Sequence, residues 1–64
     1  MAIEREITDN ITGAKYYVIS EYDCSDFVAY GYYDEEEVTD PTLINRLKGY
    51  VREIVACILH EGNE

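Results

Sequence analysis

The sequence predicts an α+β fold, a three-stranded antiparallel sheet in β-β-β-α order with one C-terminal helix packed on one face. Three observations predict it. Residues 2–8, AIEREIT, alternate apolar and polar side chains. Residues 14–22 and 27–33 are runs of β-branched and aromatic residues, separated by a short polar turn. After Asp40 the apolar period becomes that of a helix.

The first strand, 2–8, points Ile3 and Ile7 one way and Glu4 and Glu6 the other, with Arg5 a misfit on the apolar side. Residues 9–13, DNITG, are turn chemistry, with Asp9 and Asn10 bonding local backbone and Gly13 accepting positive φ. The second strand, 14–22, places Tyr16, Val18, Ser20 and Tyr22 on one face, and Lys15, Tyr17, Ile19 and Glu21 on the other. After the turn DCSD, the third strand, 27–33, puts Phe27, Ala29, Gly31 and Tyr33 on one face and Val28, Tyr30 and Tyr32 on the other. Short connections make the three a meander. Gly31 marks a bulge or a close approach by another backbone or ring.

The helix is expected over 41–60. Asp40 is a good N-cap, Pro41 suits the first helical position, and Gly62 suits the stop. Leu43, Ile44, Leu47, Val51, Ile54, Val55 and Ile58 form one wide apolar face, flanked by Tyr50 and Cys57. Asn45, Arg46, Gly49, Arg52, Glu53, Ala56 and His60 are expected opposite, where Gly49 allows a kink or a close contact. The helix covers one sheet face and leaves the other to water or a partner.

Sixty-four residues make one domain. A chain of this size buries only about 60% of its unfolded surface, which leaves little room for both a core and an internal active site. The charge is uneven. The net is −9, and the first forty residues hold eleven of the fourteen acids against only Arg5 and Lys15. Such a surface disfavours direct binding to nucleic acid or to an anionic membrane and favours a basic partner. The start, MAIEREITDN, is unlike a secretory leader, and no apolar run has the length of a membrane span. A cytoplasmic protein with reduced thiols is therefore expected. Cys57 is read as a small core hydrophobe rather than a functional thiol, and a single Cys24–Cys57 bridge would make no disulfide framework.

Six of the seven tyrosines lie in residues 16–33 and must occupy both sheet faces. They are good strand residues, and exposed ones also make contact patches. Behind them comes the acidic block Asp34, Glu35, Glu36 and Glu37. Alone it reads as a solvated loop. Two of its charges about 6 Å apart repel by roughly 0.7 kcal/mol in water, a modest penalty that a basic partner relieves. The candidate partner-binding residues are Asp23, Asp26, Tyr30, Tyr32, Tyr33, Asp34, Glu35, Glu36 and Glu37.

Neither metal nor cofactor is expected. The acids lack the spacing of a calcium loop, and one His with two distant Cys makes no zinc site. Catalysis is not expected either: His60 is the sole histidine, and no nucleophile elbow or phosphate loop occurs.

The segments KYYVISEY and SDFVAYGYY, with the acidic run after them, resemble in size, charge and aromatic content the small acidic inhibitors of bacteriophages and mobile elements. Inhibitors of uracil-DNA glycosylase and many anti-CRISPR proteins are of this type. The resemblance is one of class and carries over no individual residue. It implies a DNA mimic that occupies the basic groove of a nucleic-acid-binding protein in the host cytoplasm. The rival expectation is a self-associating module, a homodimer through the open sheet face or an edge strand, its acids serving solubility.

Overall fold

The computed structural model describes residues 1–61. Strand β1 is Ala2–Thr8, β2 is Lys15–Glu21 and β3 is Val28–Gly31, and helix α1 is Pro41–Glu61. The sheet order is β1-β2-β3, antiparallel throughout. The expected α+β arrangement is thus the observed one. Gly62, read as the helix stop, lies outside the described residues.

Alternation decides which face is buried. Ile3, Ile7, Val18, Ser20 and Ala29 are buried, and Leu47, Val51 and Val55 of the helix meet them. Full burial of a Leu or Val side chain is worth about 1.5–3 kcal/mol, so Leu47 and Val51, both fully enclosed, hold the two layers together. Tyr16, Tyr22, Phe27, Tyr50 and Ile54 pack around this centre. Arg5 stays exposed on the helix side because β1 is an edge strand.

Four expectations need correction. The third strand ends at Gly31, not at residue 33, because the chain turns at 32–34 and folds back. Gly31 N–H donates to the Glu36 carbonyl (2.8 Å), Val38 N–H donates to the Ala29 carbonyl (2.8 Å), and Glu37 bridges Tyr30. The acidic run therefore covers the outer edge of β3.

Cys57 is not a core residue. Cys57 is exposed, and Cys24 is buried in the β2–β3 turn, its thiol donating to the Lys48 carbonyl at 3.8 Å; both are free. Cys57 flanks the apolar face of the helix and lines the open groove between the helix and β1, so the sheet does not cover it. Leu59 is exposed as well, while its neighbour Ile58 packs against the core.

On the helix, Arg46 does not lie in solvent opposite the core. It is half-buried and paired with Asp9, because its long side chain reaches around from the border of the apolar face. Gly49 makes no close contact either: a Cβ there would meet nothing within 4 Å.

Candidate interaction surface

The face of the sheet turned away from the helix carries Glu4 and Glu6 from β1, Lys15, Tyr17, Ile19 and Glu21 from β2, and Val28 and Tyr30 from β3. The register lines them up in rows. Glu6, Tyr17 and Tyr30 form one row, and Glu4, Ile19 and Val28 the next. Tyr32 continues β3 beyond its last residue, its N–H donating to the Lys15 carbonyl at 3.1 Å. Tyr17 and Tyr32 are exposed, and Ile19, Val28 and Tyr30 are half-buried. Tyr17, Tyr30, Gly31, Tyr32 and Glu35 line a shallow depression of about 400 Å³. Aromatic and aliphatic surface is thus open at the centre, with carboxylates around it.

Charge–aromatic contacts fix the rim. The Lys15 ammonium lies 3.1 Å from Glu6 Oε1 and 5.8 Å from the Tyr32 ring centroid. Its hydrogen bond with Glu6, with further help from the nearby charges, raises the Lys15 pKa. Tyr33 is 78% exposed and stacks edge-on against Tyr32, centroids 5.1 Å apart. Tyr17, a member of this surface, is absent from the residues the sequence singled out; its position opposite Tyr30 in the register is what adds it.

The acidic run is held in a defined turn. Asp34 Oδ1 accepts the Glu36 N–H at 3.0 Å, and Gly31 leaves the space that the Asp34 carboxylate fills. A close approach at Gly31 was expected from a backbone or a ring; the group that approaches is a side-chain carboxylate. The Gly31 carbonyl accepts the Glu35 N–H at 3.0 Å, and Glu35 takes positive φ, +60°, a costly conformation for a non-glycine residue. Asp34, Glu35, Glu36 and Glu37 are all exposed.

The nine residues singled out from the sequence do not form one cluster. Tyr30, Tyr32, Tyr33 and Asp34–Glu37 gather at one end of β3. Asp23 and Asp26 lie in the β2–β3 turn at the opposite end, lining a depression with Met1, Glu21 and Tyr22. Ser25, through its side chain and its N–H (2.9 Å to Oδ1), lowers the pKa of Asp23. These two aspartates belong to a separate patch.

A third polar group was invisible in the sequence. Asp9, read as turn chemistry, is fully buried. Its Oδ1 accepts from Arg46 Nε (2.8 Å) and the Tyr50 hydroxyl (2.9 Å), and its Oδ2 from Arg46 Nη2 (2.8 Å) and the Thr12 hydroxyl (2.8 Å). The Tyr50 hydroxyl in turn accepts the Asn10 N–H at 3.1 Å. With Asp9 enclosed and its partners used up, this group is a clamp between the β1–β2 turn and the helix.

Among the described residues, no three His, Cys, Asp or Glu side chains converge as a metal site requires. No described helix is long and apolar enough to cross a membrane. No family model, curated protein or solved structure matches this chain.

Proposed function

We propose that this chain is a non-enzymatic binding protein that docks on a basic protein whose own ligand is a nucleic acid, and inhibits it by occupying the groove where that nucleic acid lies. The observation that carries this reading is the open sheet face, where Tyr17, Tyr30 and Tyr32 stand among Glu4, Glu6, Glu21 and Glu35. The carboxylates take the place of phosphates and speed encounter. The tyrosines supply the buried contact that charge alone does not, since aromatic anchors dominate residence time at interfaces.

The test has three arms. The immobilised chain is exposed to a cell lysate, and the captured protein is identified and assayed for nucleic-acid binding. Duplex DNA is then used to compete it away. Finally, capture is repeated with a Tyr17→Ala/Tyr30→Ala chain and with one in which Asp34, Glu35, Glu36 and Glu37 are neutralised. The reading expects capture of a nucleic-acid-binding protein, release by DNA, faster dissociation without the tyrosines and slower association without the acids. Equal binding by the neutralised chain at low and high salt defeats it, as does a captured partner that DNA fails to displace.

A further inference from the structure

A second surface, the outer edge of β1, goes beyond the open-face reading. The other edge of the sheet is covered by residues 36–38, whereas no described residue pairs with the outer side of β1. Its hydrogen-bonding groups follow from the register. Tyr22 N–H donates to the Met1 carbonyl (2.9 Å) and Asp9 N–H to the Ala14 carbonyl (2.8 Å), so the odd-numbered residues of β1 bond to β2. The backbone groups of Glu4 and Glu6 therefore point outward, while their side chains lie on the open face.

This edge is ill suited to a second copy of itself. Antiparallel pairing keeps like faces together, so open-face residues oppose open-face residues. Every register that pairs the middle of the strand sets Glu4 against Glu6, Glu4 against Glu4, or Glu6 against Glu6. Like charges directly opposite destabilise a strand pair. The in-register arrangement also sets Arg5 against Arg5. Bringing two copies together edge to edge is thereby opposed.

The same charges suit a different strand. Beneath the edge, on the helix side, runs a groove of about 430 Å³ with Ile7, Ile54, Cys57 and Ile58 in its lining. Its charged side chains are Glu53 and Glu61 against Arg5 alone, the carboxylate of bordering Glu6 being held on the open face by Lys15. Glu6 already holds Lys15, while no ion pair of Glu4 occurs among the described residues. We infer that β1 is a docking edge for an extended segment of a partner protein that alternates basic and apolar residues. The segment pairs antiparallel as a fourth strand. Its basic side chains stand opposite Glu4 and Glu6 on the open face, and its apolar ones enter the groove over Ile54 and Ile58. Main-chain bonds supply affinity and the alternating side chains supply selection, as in other strand-addition interfaces.

The test uses an acetylated, amidated Val-Lys-Val-Lys-Val peptide and the isotope-labelled chain. Binding is expected to slow hydrogen exchange at the Glu4 and Glu6 amides and to protect the Cys57 thiol from alkylation. A peptide with Glu in place of Lys should not bind. N-methylation of both Lys residues keeps the charge but removes two ladder bonds, and should weaken binding about tenfold. Glu4→Pro removes one outward donor without breaking a bond to β2, and should weaken binding while leaving the circular dichroism unchanged. Should that variant unfold, the methylated peptide still decides. Equal affinity of the methylated peptide overturns the inference. So does binding that perturbs Tyr17 and Tyr30 but leaves the β1 amides unprotected. Protection of Glu4 and Glu6 by rising concentration of the chain alone, with no peptide, overturns it in favour of a second copy.

Discussion

The Asp9 carboxylate sits in the fork of the Arg46 guanidinium, with Nε–Oδ1 and Nη2–Oδ2 both at 2.8 Å. The two residues are 37 positions apart, one in the first turn and one in the helix. Bidentate geometry of this kind is the strongest form of an ion pair. Because Asp9 is enclosed and its oxygens are fully used, the pair fixes how the helix crosses the sheet.

Breaking this pair from one side leaves a buried charge without its partner, which costs far more than the intact pair contributes. Arg46→Met should therefore destabilise the protein strongly. The Asp9→Asn/Arg46→Met double variant should lose less than the sum of the two single variants. Urea denaturation of all four forms measures the coupling. Additive losses would show that Asp9 and Arg46 act independently.

The pair also sets the acid limb of stability. Arg46, followed by the Thr12 and Tyr50 hydroxyls, holds Asp9 well below the usual carboxylate range, against the opposing effect of burial. A depressed folded pKa stabilises the protein above the unfolded value of about 3.9, and that contribution is lost as pH falls toward the folded pKa. The many exposed acids act in the opposite sense, since protonating them relieves repulsion in a chain of net charge −9. Stability should thus hold or rise from pH 7 to about 5 and fall below about pH 4. Melting curves across that range check it. In Asp9→Asn the acid fall should be much reduced; an unchanged fall would assign it to other carboxylates.

The parts legible in the sequence were those carried by local pattern. Alternation in AIEREIT and KYYVISE set strands and faces, and Asp40-Pro41 marked the helix start, where Asp40 Oδ1 accepts the Thr42 N–H at 3.1 Å. What escaped depends on contacts between distant segments. Asp9 in DNITG had a sufficient local explanation as a turn residue, so nothing called for Arg46 as its partner. Glu37 and Val38 show no strand alternation, and they pair with β3 only because the turn at 32–35 returns the chain to that edge. Cys57 lay beside an apolar stripe, but a stripe does not reveal how far around the helix the sheet reaches. The tyrosine patch was half visible: strand parity separated Tyr17 from Tyr16 and Tyr30 from Tyr33, while only the register placed Tyr17 and Tyr30 side by side.

Gly49 is a mid-helix glycine with open space where a Cβ would stand. Nothing in its surroundings needs glycine, so the substitution removes only a propensity cost. Gly49→Ala should stabilise the protein by about 1 kcal/mol, raising its melting temperature by roughly 4–8 °C. A lower melting temperature would mean that the position serves a contact made outside this chain.

The thiols should separate by rate. Cys57 is exposed on the helix, whereas Cys24 is buried beside the Lys48 carbonyl. A thiol reagent should modify one cysteine promptly in the native protein and the second only on unfolding. Mass spectrometry of the early product should place the label on Cys57. Prompt modification of Cys24 would show that the β2–β3 turn opens readily.

Gly31 and Asp34 should prove coupled. A Cβ at Gly31 would run into the Asp34 carboxylate, which accepts the Glu36 N–H and so shapes the acidic turn. Its φ is not in the left-handed region, so the backbone itself tolerates alanine. The cost of Gly31→Ala is then the displaced carboxylate, about one hydrogen bond or 0.5–1.5 kcal/mol. Asp34→Ala should lose a similar amount. With that carboxylate already gone, Gly31→Ala should add little, and the double variant should be about as stable as the Asp34 single variant. Denaturant midpoints of the four forms decide it. Full additivity would mean that Gly31 is required for another reason, and the link between the β3 terminus and the acidic run would fall with it.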